Sequence, residues 1–93
     1  MDVIFKEGTP SKATVAATST EVLAAKSGRL YARLTNDSDE TIYLSIGTPA
    51  VMNEGLRLNA NGGLQELGVD LIATGAVYAI CASGGKNIAV FEA

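Results

Sequence analysis

The side chains of this chain that could do chemistry are few and scattered. Glu54, Glu66 and Asp70 lie near one another in sequence and would be the carboxylates of an acid–base pair. Such a pair needs an apolar pocket that raises one pKa and leaves the other low. Each of the three instead lies in polar context beside a glycine or a turn, so isolated surface carboxylates are expected. The acidic run Asn36-Asp37-Ser38-Asp39-Glu40 offers the clustered oxygens that a hard cation wants. It lacks the bend glycine and the distant bidentate glutamate of an EF-hand loop, and reads as a solvated turn whose Asn and Asp side chains bond their own backbone. Gly84-Gly85-Lys86 ends like a phosphate-binding loop, but Asn87 and an extended run follow where a Ser or Thr and a helix are required. Asn61-Gly62-Gly63 offers backbone N–H groups without a following helix N-terminus. Cys81 is the only cysteine and sits in the apolar run Ala76–Ala82, where a thiol acts as a small buried hydrophobe. The chain has no histidine, which removes Ser-His and Cys-His nucleophiles and the commonest metal ligand together. No catalytic residue, cofactor site or metal site is predicted, and the expectation is a protein that is not an enzyme.

Composition narrows the partners. Ten acidic against seven basic side chains give a net charge of −3, the wrong sign for neutralising phosphates. There is no Trp, and five aromatics (Phe5, Tyr31, Tyr43, Tyr78 and Phe91) make a poor base-stacking platform. Neither nucleic acid nor a membrane is an expected partner. Met1-Asp2-Val3-Ile4-Phe5-Lys6-Glu7 is too short and charged for a signal peptide, and no apolar stretch approaches the roughly 18 residues of a membrane span. Those features predict a soluble product made in a reducing cytosol. Charged residues reach only 18% of the 93, leaving a neutral skin suited to contact. A chain of this length buries only about 60–65% of its unfolded surface, so partner burial would add to a modest stability.

The elements that position these groups are short. Clusters of Gly, Asn, Asp, Ser and Pro separate runs of period-two alternation, the pattern of an all-β chain. Residues 1–12 read as an N-terminal arm or loosely attached strand, with Gly8-Thr9-Pro10-Ser11 breaking any regular element, and 13–93 as one β domain. Ala13–Ala17 and Thr20–Ala25 are extended runs. Arg29–Thr35 sets Leu30, Ala32 and Leu34 against Arg29, Tyr31, Arg33 and Thr35. Thr41–Ile46 sets Ile42, Leu44 and Ile46 against Thr41, Tyr43 and Ser45. Joined by the five-residue acidic turn, these two runs are predicted to form a β-hairpin with Tyr31 and Tyr43 on one outer face. Leu56–Asn59 and Leu64–Leu67 are short strands, while 68–75 is a loop or a single helical turn. Ala76–Ala82 is predicted to be a strand buried on both sides that hairpins through Ser83–Lys86 into Asn87–Phe91. The prediction is a compact β-sandwich or jelly-roll-like barrel of about seven to nine short strands.

Along Asn36-Asp37-Ser38-Asp39 with Thr41–Leu44, Gly55–Gly63 and Thr74–Ala82, the chain resembles small structural proteins of tailed bacteriophages, the capsid decoration or cement proteins. The resemblance runs from about Ala13 to Phe91. It implies a non-enzymatic virion protein on the capsid exterior, made in the bacterial host cytoplasm, that bridges subunits of the major capsid protein and stabilises the shell. It also implies self-association, with a homotrimer favoured. Interface residues expected on this reading are Val3, Ile4 and Phe5 of the arm, able to add a strand to a neighbouring sheet edge, and Tyr31, Arg33, Tyr43 and Arg57. Two other readings stay open: a head fibre, spike or tail adaptor β-domain, and a partner- or carbohydrate-binding β-sandwich. The lack of Trp weighs against sugar stacking.

Overall fold

The computed structural model describes residues 8–68 and 74–93, and among them every regular element is a strand. In chain order these are Thr9–Val15 (β1), Thr20–Leu23 (β2), Ala32–Asn36 (β3), Ile42–Ile46 (β4), Leu56–Leu58 (β5), Leu64–Leu67 (β6), Val77–Cys81 (β7) and Lys86–Glu92 (β8). They form two four-stranded antiparallel sheets ordered β1-β8-β3-β6 and β2-β7-β4-β5. Only β4 and β5 are both consecutive and paired; every other connection passes from one sheet to the other. That path is the jelly-roll form of the β-sandwich.

Alternation explains the core. Val15 of β1, Ala32 and Leu34 of β3, Ile88 and Val90 of β8, and Leu67 of β6 point inward from the first sheet. Leu23, Ile42, Leu44, Leu58, Val77, Ala79 and Cys81 meet them from the second. All these side chains are buried, and each Val, Leu or Ile removed from water contributes roughly 1.5–3 kcal/mol. Cys81 is the expected buried hydrophobe, its Sγ–H directed to the Val15 carbonyl at 3.5 Å. Strand β7 is covered on its outward side too, since Ile80 is only 8% exposed.

Several local expectations need correction. Neither expected hairpin forms: β3 and β4 lie in different sheets, as do β7 and β8. The acidic turn is an arch between sheets. Its stay is Asn36, wholly buried, whose Nδ2 donates to Glu40 O (2.7 Å) and to Leu58 O (3.0 Å) on the opposite sheet. Tyr31 and Tyr43 therefore flank opposite outer faces rather than sharing one. Alternation also breaks before β3: Leu30 is 63% exposed while Arg29 is 3% exposed. The Arg29 guanidinium donates to Glu92, Gly75 O and Ala24 O, so three separate segments draw it inside. Finally, β1 begins at Thr9 and runs through the Gly8–Ser11 segment expected to break any regular element, so residues 9–12 form a strand paired with β8. Pro10 is accommodated because β1 is an edge strand.

Candidate functional site

The sequence candidates fall on two outer faces. On the first sheet, the register aligns Pro10, Phe91, Arg33 and Glu66 in one row and Lys12, Ala89, Thr35 and Leu64 in the next. Arg33 therefore stands between Phe91 and Glu66. Just before β3, Tyr31 donates its hydroxyl hydrogen to Glu66 Oε2 and accepts from Arg33 Nε at 3.0 Å. Arg33 Nη2 reaches the same carboxylate at 3.5 Å. Hydrogen bonding to Glu66 raises the Tyr31 pKa, and the same bond holds the Glu66 carboxyl below its usual range. The three groups lock one another, so this is an oriented polar surface.

On the second sheet, Tyr43 pairs with Arg57 across β4 and β5, and with Ile80 across β4 and β7. Part of this face is covered by the chain itself. After Gly47, whose N–H donates to Ala76 O at 2.8 Å, residues 48–55 turn back across the outer side. There Ala50 N–H donates to Ser19 Oγ at 2.8 Å, beside the start of β2. Ala50 is 5% exposed, and outward-pointing Ile80 is buried as well. The same loop frames an open depression of about 280 Å³ lined by Ser45, Thr48, Pro49, Val51, Glu54 and Gly55. That is at the lower limit for a small-molecule site, and open rather than enclosing.

Tyr31 and Arg33 are thus brought together, Tyr43 and Arg57 are brought together, and the two pairs are on opposite sides. Val3, Ile4 and Phe5 lie outside the described residues, as does Asp70 of the carboxylate set and most of the 68–75 segment. Glu54 and Glu66 belong to different sheets' surroundings and do not form a pair. Alternation in Lys86–Glu92 could have pointed to Phe91, which is 43% exposed because Ile88 and Val90 take the inner face. Leu64, 48% exposed, carried no such signal, because the short run Leu64–Leu67 has an apolar residue at each end.

The remaining motifs are used in holding the arches. Glu40 accepts from Ser83 N–H (2.7 Å) and Ser83 Oγ (2.8 Å), which keeps its carboxyl below the usual range. Lys86 of the Gly84-Gly85-Lys86 motif bonds Asp39 at 2.8 Å and lowers that carboxyl likewise. Burial pushes the Cys81 thiol up, away from the reactive thiolate. Among the described residues no group of three or more His, Cys, Asp or Glu is placed to hold a metal ion. Compared with known proteins, the chain matches no family model, no curated sequence and no solved structure.

Proposed function

We propose that this chain is a non-enzymatic structural protein of a bacteriophage virion, bound to the outside of the capsid, where it bridges subunits of the major capsid protein. One observation carries the reading: several polar groups that the sequence singled out hold loops and arches, while contact-forming residues stay half-exposed among the described residues on the outer face of the first sheet. Arg29, Asn36, Glu40, Asp39 and Lys86 all hold loops or arches. Phe91, Leu64, Tyr31 and Arg33 stand on or beside the outer face of the first sheet, of types suited to an interface. The resemblance in the turn and core motifs supports the same reading, and the jelly roll adds an analogy at the level of fold alone.

A protein that binds only where capsid subunits meet stabilises the assembled state by mass action, because its site is absent from the dissociated subunits. The test mixes the purified chain with heads lacking it, followed by sedimentation and cryo-electron microscopy. Saturable uptake with ordered density over subunit junctions, weakened by Phe91→Glu, is the expected result. No uptake, or density confined to the tail, overturns it.

A further inference from the structure

We propose that copies of this chain assemble head to tail by joining the β1 edge of one to the β6 edge of the next, so that the first sheet runs on from copy to copy. The proposal goes beyond the capsid reading and does not depend on it. It starts from the phase of the backbone hydrogen bonds. Asp37 N–H donates to Asn87 O (3.2 Å), whereas Asn36 N–H donates to Gly63 O (2.7 Å). Along β3, odd-numbered residues therefore turn their backbone groups to β8 and even-numbered ones to β6. The register carries this alternation across the sheet. On β1, Thr9, Ser11, Ala13 and Val15 face β8, leaving the backbone groups of Pro10, Lys12 and Thr14 directed away from the sheet. On β6, Gln65 and Leu67 face β3, leaving those of Leu64 and Glu66 directed away.

The two edges, unpaired among the described residues, fit each other in direction, phase and charge. Strands alternate in direction across the sheet, so β6 of one copy meets β1 of the next antiparallel when the sheet is continued. Pairing Lys12 with Glu66 then pairs Thr14 with Leu64, with reciprocal N–H to C=O bonds at both positions. Each of these residues also turns its side chain to the outer face, as continuous pleating demands. Only the Glu66 carbonyl already has a described partner, the Gln65 side-chain amide at 3.0 Å, and a carbonyl oxygen has a second lone pair. Lys12 has no ionic partner among the described residues. Glu66 is held upright by Tyr31 and Arg33, with its side chain 53% exposed. Directly opposed charges of unlike sign stabilise a strand pair and like charges destabilise it. A symmetric β1–β1 pair centred on Lys12 sets lysine against lysine, so Lys12 guards its edge against its own kind and admits β6. A heterologous contact of this type closes into a ring when its rotation permits.

The experiment uses the full chain and light scattering coupled to size-exclusion chromatography over a concentration series. The wild type is expected to be an oligomer larger than a dimer. Lys12→Glu and Glu66→Lys are each expected to weaken association by about tenfold per interface, and the double exchange to recover most of the loss. Far-UV circular dichroism of each variant checks that it folds. In a second arm, the Thr14→Cys, Leu64→Cys variant is oxidised and run without reductant. Covalent species beyond the dimer support the head-to-tail join. A wild type that stays monomeric, a charge exchange that does not recover, or cross-linking that stops at dimers overturns it. Loss of self-association with capsid uptake intact would remove this inference alone, and the converse would remove only the capsid reading.

Discussion

Desolvating a guanidinium costs several kcal/mol, and Arg29 offsets that cost with acceptors from three segments. Its side chain is 1% exposed against 22% for Glu92, so removing the cation strands a largely covered carboxylate and two carbonyls. Arg29→Ala is therefore expected to lower unfolding free energy by about 3 kcal/mol, read from the urea midpoint at unchanged slope. Nothing in the local pattern marks this residue: an arginine before an alternating run is ordinarily an outward one. It becomes buried because the C-terminal end of β8 and the turn at Gly75 converge on it. Glu40 is the second case. Its carboxyl is held below the ordinary value of 4.5, chiefly by the Ser83 N–H, and Asp39 below 3.8 by Lys86. A depressed native pKa contributes stability that is whole above the ordinary value and is lost as pH falls through the lowered one. The difference in melting temperature between wild type and Glu40→Gln is thus expected to be constant from pH 7 to about 5, and to shrink below about 4. A difference that grows on acidification would contradict the assignment.

At the scale of elements, arches replace hairpins. The five-residue acidic turn has the length and composition of a hairpin loop, and nothing local distinguishes the two. The choice rests on Asn36, which finds Leu58 O across the core, and on Glu40, which binds the neighbouring arch at Ser83. The one true hairpin, β4 to β5, is joined by the long loop 47–55, and its return depends on Gly55. That glycine has φ +84°, and a Cβ there would lie 2.4 Å from Leu44 O. Gly47 has a similar φ of +80° with open space around it. Gly47→Ala is expected to cost about 1 kcal/mol for the left-handed backbone alone. Gly55→Ala should cost at least about 2 kcal/mol, since backbone must also move. Equal melting temperatures for the two variants would show that the close approach at Leu44 is not tight.

For the molecule as a whole, the decisive fact is where β8 sits. The last strand lies inside the first sheet, between β1 and β3, and pairs Thr9 with Glu92. Among the described residues β1 pairs with β8 alone, so it has no partner there until β8 is made, and the sheet cannot form in sequence order. Such long-range pairing places refolding in the range of milliseconds to seconds. Deleting residues 86–93 is expected to abolish the cooperative thermal transition, as followed by circular dichroism. The same arrangement leaves β1 and β6 as edges, which is why their charges and hydrogen-bond phase bear on assembly. It also divides the surface unequally. The second sheet's outer side is crossed by residues 48–55, while on the first sheet Phe91, its ring beside Gly8, and Leu64 stay half-exposed among the described residues.

The alternation in the sequence determined that the chain is all β, roughly where each strand lies, and which side chains of Ala32–Asn36, Ile42–Ile46 and Lys86–Glu92 face the core. Its lack of histidine, its single cysteine in an apolar run and its low charge determined which chemistry it was poor in. Only the tertiary structure decided which sheet each strand joins, and with it which residues share a surface. The reason is physical. Both sheets face one core, so a strand shows the same inward and outward pattern whichever sheet it enters. The choice is made by bonds between residues far apart in the chain, as between Asn36 and Leu58, or Arg29 and Glu92. Those same bonds separated Tyr31 and Arg33 from Tyr43 and Arg57, and turned one expected surface into two.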